Sequence, residues 1–243
     1  MTKSVLKAFL DLIFPPLCLG CGKRLKENRV KELIACAGCL KGVKKNLAPF
    51  CLYCGRKIDK NSFAKNICPR CQRKTVFFDR AFSPCAYEGL VKKIISDFKY
   101  KGKDYLGKSL GNLLTDFIRE YRLPIEMLDY IIALPLHPVK LREREFNQAE
   151  ILARIVADEF NRPFLPGALK KIKPTPSQTE LEEKERFNNV AGTFALGTKS
   201  EHIHGKNILL VDDVLTTGAT ASEAARVLKD SGAGIVFVLT VAN

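Results

Sequence analysis

The chain has 243 residues, 46% of them hydrophobic, with 40 Lys and Arg against 26 Asp and Glu for a formal charge of +14. That is enough apolar material for one ordinary domain plus a smaller one, and it excludes a wholly disordered chain. The charge is uneven: up to Arg80, 18 Lys and Arg face 5 Asp and Glu, whereas beyond it 22 face 21. Solvation of a small module accounts for such an excess; the sharper reading is a polyanion-binding surface, nucleic acid above all.

Over residues 1–16, Val5, Leu6, Phe9, Leu10 and Ile13 recur at helical spacing until Pro15 and Pro16 end the pattern. Lys3 and Lys7 ahead of a short apolar stretch raise a secretory signal, but Asp11 interrupts it and no small-residue cleavage site follows. A docking helix is expected instead. No run approaches the roughly 18 apolar residues of a membrane span, so the expected protein is soluble and cytoplasmic, without membrane insertion.

Residues 17–78 carry eight of the nine cysteines in four CxxC pairs: Cys18 and Cys21, Cys36 and Cys39, Cys51 and Cys54, Cys68 and Cys71. The flanks repeat as well, Leu17 to Leu25 resembling Phe50 to Ile58, so two copies of one small unit are expected. Each copy offers four thiolates from two CxxC turns, the ligand set of a closed tetrahedral zinc site, and up to two structural Zn2+ ions follow. Disulfides and a redox dithiol fit poorly in a reducing compartment, and iron–sulfur ligation fits the spacing less well than zinc. Pairing within each repeat is simplest, with a crossed arrangement open. Cys85, without a partner in the pattern, is expected to be a buried apolar residue.

From 79 to 243 the pattern is α/β. Strands are expected over Ala81 to Tyr87, Asp129 to Leu136, Ala168 to Lys171, Thr193 to Leu196 and Gly234 to Val241, with a further one in the apolar run that ends at Asp212 and Asp213, and helices over Leu90 to Phe98, Asp104 to Tyr121, Ala149 to Phe160 and Ala221 to Lys229. Between the first two helices Lys99, Tyr100, Lys101 and Lys103 interleave cations with an aromatic ring, a mixture that can pair with phosphates and stack on the bases of single-stranded DNA; a solvated connection is the plainer alternative. After the second strand come Leu136 and His137, a loop histidine that can contact an anion or a base but is more often structural, and then Lys140, Arg142 and Arg144, cations able to neutralise an anionic leaving group. The polar excursion Lys173 to Val190 is long for a connection without a purpose; Gln178, Arg186 and Asn188 in it are polar groups able to reach a site.

The run Ile208-Leu209-Leu210-Val211 reads as a strand buried on both faces, ending in Asp212 and Asp213. The hydroxyl-rich turn that follows, Thr216, Thr217, Gly218, Ala219 and Thr220, leads into a helix. Such a helix start can surround a phosphate, while adjacent carboxylates suit the vicinal hydroxyls of a ribose. Val211 to Thr220 resembles the phosphoribosyl pyrophosphate (PRPP) motif of type I phosphoribosyltransferases, and Leu134 to Val139 is similar to the pyrophosphate-binding element of that family.

Taken with the cysteine repeats, the motifs Arg144-Glu145-Phe146-Asn147-Gln148, Thr175-Pro176-Ser177-Gln178 and Glu185 to Val190 make the whole chain resemble the ComF family, a double zinc ribbon joined to a type I phosphoribosyltransferase domain. Glu145 stands where that family usually has glycine. The resemblance implies a parallel-sheet α/β core behind a small N-terminal zinc-ribbon module, with Asp212 and Asp213 as the catalytic pair on the ribose. Val211 and Thr216 to Thr220 would complete the PRPP site, with Mg2+ on the PRPP and a mobile loop over it. It also implies a role in DNA uptake during natural transformation, on or beside imported single-stranded DNA, with helicase or recombination partners. The acceptor is not specified, and a non-catalytic DNA-binding adaptor and a nucleotide-sensing regulator stand as alternatives.

Overall fold

A computed structural model describes residues 15, 17–25, 35–58, 66–72, 75–174, 187 and 189–243. The expected docking helix over Met1 to Phe14 and the loop candidates Gln178, Arg186 and Asn188 lie outside the described residues.

Four short-range patterns become a parallel sheet in the order β1 (Arg80–Phe82), β6 (Val236–Ala242), β5 (Ile208–Val214) and β2 (Tyr130–Ala133). Period-two alternation explains why these strands are apolar on both faces. Leu209, Val211, Leu239 and Val241 enter one core with Ile131, and Ile208, Leu210, Val236 and Val238 enter the other with Ile132. Each fully buried branched side chain contributes about 1.5–3 kcal/mol, so both faces are strongly specified.

Helices cover both faces. α2 (Gly89–Tyr100), α3 (Leu106–Glu120) and α5 (Gln148–Glu159) supply Phe98, Leu114 and Leu152 to the first core; α6 (Ala219–Asp230) supplies Ala224, Ala225 and Leu228 to the second. Two glycines inside α3 let α5 come close, since a Cβ at Gly107 would stand 2.5 Å from Ile151 Cγ2 and one at Gly111 2.6 Å from Ile155 Cδ1. A separate antiparallel pair, β3 (Leu169–Lys171) and β4 (Phe194–Leu196), brackets the long excursion.

Two expectations need correction. The strand expected over Ala81 to Tyr87 stops at Phe82, because the chain there turns to the cysteine module: Asn46 donates its amide to Pro84 O, and Ala86 to Lys44 O. The stretch expected to run straight into the helix at Ala149 instead forms α4 (Pro138–Arg144), with Pro138 at its start and left-handed Glu145 (φ 66°) at its end.

The cysteine repeat is also a structural repeat. Leu17 bridges Arg24 as Phe50 bridges Lys57, and Cys18 N donates to Lys23 O as Cys51 N donates to Arg56 O. A one-turn helix, α1 (Ala37–Lys41), follows Cys36. The second unit is fastened to the sheet: Ala81 N donates to Leu52 O at 2.8 Å, and Phe50 packs edge-on against Phe117 and Tyr121.

Candidate functional site

β2 and β5 are neighbours and parallel, so their carboxyl ends open on the same side of the sheet. There a cleft of about 200 Å³ is lined by Leu134, Pro135 and Leu136 after β2, by Asp212 and Asp213 among the last residues of β5 and Thr216 and Thr220 beyond it, and by Lys99, Arg144 and Lys171 from outside the two strands. This is the crevice in which open α/β sheets hold ligands.

The turn after β5 is shaped by Gly218, whose φ of 86° would strain a side-chain-bearing residue. It starts α6, and Thr217 Oγ1 accepts from Ala219 N at 3.3 Å. Asp212 Oδ1 accepts from Asp213 N at 2.8 Å, which orients the first carboxylate along the cleft wall. Burial and the adjacent Asp213 carboxylate push the Asp212 carboxyl up to about 7, against the pull of the Lys99 and Lys171 cations. Across the cleft, burial and the nearby Lys140 cation bring the Lys171 ammonium down to about 8.

Of the residues expected at this site, Asp212, Asp213, Thr216, Thr220, Leu136 and Arg144 come together on the cleft. Val211 is wholly buried in the sheet and Ala219 is buried at the helix start, so neither offers a side chain to the cleft. His137 Nδ1 accepts from Val139 N at 3.4 Å, capping α4, and His137 is not among the cleft-lining residues. Arg142 is exposed on α4 and is likewise not among them.

The basic stretch 99–103 is also differently placed. Lys99 turns into the cleft, its ammonium 2.7 Å from Asp213 Oδ1, while Lys101 and Lys103 both pair with the buried Asp97 at 2.8 and 2.9 Å. Tyr100 is 68% exposed, with the Arg144 guanidinium 4.9 Å from its ring centre. Sequence reasoning did not place Lys99, Lys171 or Tyr87 on the cleft. A lysine at a strand end or in a basic tract carries no local signal of where it points. Asn147 was visible as a motif residue, and its role is now specific: Oδ1 accepts from Ala149 N to cap α5, and Nδ2 donates to Leu134 O, tying that helix to the end of β2.

The two cysteine sets pair within repeats. Cys18, Cys21, Cys36 and Cys39, and separately Cys51, Cys54, Cys68 and Cys71, each bring their sulfurs within 4.8 Å of one another. A tetrahedral zinc with Zn–S bonds of ~2.3 Å separates its sulfurs by ~3.8 Å. Cys21 Sγ and Cys36 Sγ stand 3.8 Å apart, and Cys54 Sγ and Cys68 Sγ 3.7 Å. The amides of Cys36 and Cys68 donate to Cys18 Sγ and Cys51 Sγ at 3.2 Å, support that a thiolate uses and a thiol does not need. The donor sets fit structural zinc. Cys85 is fully buried, its thiol pushed up to about 11 by that burial, an inert core residue.

Sheet order, cleft and cysteine sets thus define a phosphoribosyltransferase-type α/β domain behind two zinc ribbons. A family model described as a double zinc ribbon domain matches residues 9–72, and one described as a phosphoribosyl transferase domain matches residues 147–243. The chain is 27% identical over 199 residues to Competence protein F of Haemophilus influenzae, covering 81% of this chain and 85% of that protein. It is 26% identical over 231 residues to DNA utilization protein YhgH of Salmonella typhi, covering 93% and 96%. To Competence protein ComFC of Bacillus subtilis it is 24% identical over 231 residues, covering 89% and 90%. That likeness runs along nearly the whole chain with both domains in order, and it is consistent with the ComF family. Among the described residues no helix is long and apolar enough to cross a membrane.

Proposed function

We propose that the cleft binds PRPP and that the protein is a phosphoribosyltransferase acting in DNA uptake, on or beside imported single-stranded DNA in the cytoplasm. The observation that carries this reading is the convergence of Asp212, Asp213, Thr216 and Thr220 with Arg144 and Lys171 on one crevice at the ends of β2 and β5. Carboxylates accept from the ribose 2′ and 3′ hydroxyls; the α6 start and its threonines face the 5′-phosphate; Arg144 and Lys171 face the pyrophosphate.

In the transfer the C1′–O bond to pyrophosphate breaks and its electron pair leaves on the pyrophosphate oxygen. An acceptor lone pair forms the new bond at C1′, and the acceptor loses a proton to solvent. Asp212 and Asp213 stabilise the positive charge that develops at C1′, and the cations stabilise the leaving group. Mg2+ brought in with PRPP would supply further charge neutralisation, and the anionic wall of Asp212 and Asp213 opposite the cations would suit such a complex.

The basic first third supports a second reading: a non-catalytic adaptor whose ribbons grip single strands while the cleft senses PRPP or another nucleotide. Calorimetry with PRPP and Mg2+, followed by an acceptor screen for pyrophosphate release, separates the two. Transfer is expected in the wild type and lost in Asp213→Asn. Binding without turnover by any acceptor supports the adaptor or sensor, and no binding at all removes the pentose reading.

A further inference from the structure

Lys99 belongs to the last turn of α2, and its contact with Asp213 is no surface ion pair: the two side chains are only 18% and 7% exposed. Burial works against its ammonium, yet the Asp213 and Asp212 carboxylates hold it above the usual lysine value. Ions so placed need close geometry to repay their desolvation, and the 2.7 Å contact supplies it.

The groups around the two carboxylates can be named by element. Lys99 comes from α2, and Tyr87, just ahead of that helix, stands beside it. Lys171 comes from β3, and Arg144 from α4; Lys140, also on α4, acts on both Lys99 and Lys171 from further off. Thr216 and Thr220 complete the wall. Two adjacent carboxylates in so enclosed a place resist being charged together unless a cation sits against them. Lys99 is in direct contact with one of them.

We propose that Lys99 is a positioning residue of this site: it fixes Asp213 and favours the charged form of the Asp212–Asp213 tip, so that both carboxylates can accept hydrogen bonds from a vicinal diol. The proposal rests on the pentose reading of the cleft for its consequence in binding, but not for its electrostatic content. It also takes Lys99 away from any role in gripping a nucleic acid strand.

Two readouts on the same full-length proteins test it: NMR titration of the side-chain carboxyls of the aspartate pair, and calorimetry of PRPP with Mg2+ between pH 6 and 9. In Lys99→Met the proton uptake of Asp212 moves upward by about one pH unit, PRPP affinity at pH 7 falls roughly tenfold, and most of it returns by pH 8.5. Lys99→Arg, which keeps the charge, titrates and binds nearly as the wild type. A merely structural lysine would lower the melting temperature without moving either pH profile. Unchanged carboxyl titration in Lys99→Met overturns the proposal. So does equal PRPP affinity of wild type and Lys99→Met at every pH. If the titration shifts as stated but the wild type fails to bind PRPP, the role of Lys99 in charging the tip stands and the pentose reading falls.

Discussion

Asn46 donates its side-chain amide to the side-chain carbonyl of Asn243 at 3.2 Å and to Ser83 O at 2.9 Å. One buried side chain thereby joins the cysteine module to the end of β6 and to the loop after β1. Asn243 completes the link by donating to Cys54 O, and Arg56 Nε donates to Asn243 Oδ1 at 3.3 Å. Asn46 is only 7% exposed, so Asn46→Ala strips partners from buried polar groups and is expected to cost about 1–3 kcal/mol. Thermal melting of the full chain checks this; a loss under about 0.5 kcal/mol would mean that water replaces the amide freely.

The two metal sites differ in shelter. Cys51, Cys68 and Cys71 are buried and packed with Ile58, while Cys21 is exposed. Metal analysis is expected to return two zinc ions per chain. A chelator should draw the first set's zinc early with little change in melting temperature. Loss of the second should coincide with unfolding of the sheet domain, to which that ribbon is hydrogen-bonded. Simultaneous release of both ions would contradict the asymmetry.

Much of this architecture could be read from the chain because its chemistry is local. The CxxC turns, the both-faces-apolar run before Asp212 and the turn at Gly218 each declare themselves within about ten residues. What could not be read arises from convergence. Lys99 reaches Asp213 only because α2 crosses the ends of the strands, and Lys171 enters the cleft only because β3 and β4 pair beside it. His137 offered both a chemical and a structural reading, and its place just before Pro138 gives it a helix-capping contact. At position 145, where the family usually has glycine, Glu145 adopts the left-handed backbone that glycine takes freely.

That conformation gives a direct test. Glu145 is exposed and ends α4 at φ 66°, where a side-chain-bearing residue is disfavoured by roughly 1–2 kcal/mol. Glu145→Gly relieves the strain and gives part of it back through the greater freedom of the unfolded chain, for a net gain of about 0.5–1 kcal/mol. Urea denaturation measures it. A destabilised variant would show that the Glu145 side chain makes contacts worth more than the strain.

The last prediction sets stability against function at one carboxyl. Asp212 holds its proton up to about 7 in the folded protein, against an ordinary carboxyl value of 3.8. Between those two values the folded state keeps a proton that the unfolded state has released, so this group's contribution to stability falls as pH rises through that window. Above about 7 the penalty is complete. Asp212→Asn removes the titration while keeping the shape. It should match the wild type near pH 4 and be the more stable protein at pH 8, by a margin on the order of 1 kcal/mol or more. The same variant should bind PRPP at least tenfold more weakly, because an amide is a poorer acceptor for ribose hydroxyls than a carboxylate. Denaturation curves at pH 4 and pH 8, with calorimetry at pH 8, measure both quantities. A variant no more stable than the wild type at pH 8 would show that Lys99 and Lys171 fully compensate the buried charge. Stability would then no longer be exchanged for binding at the end of β5.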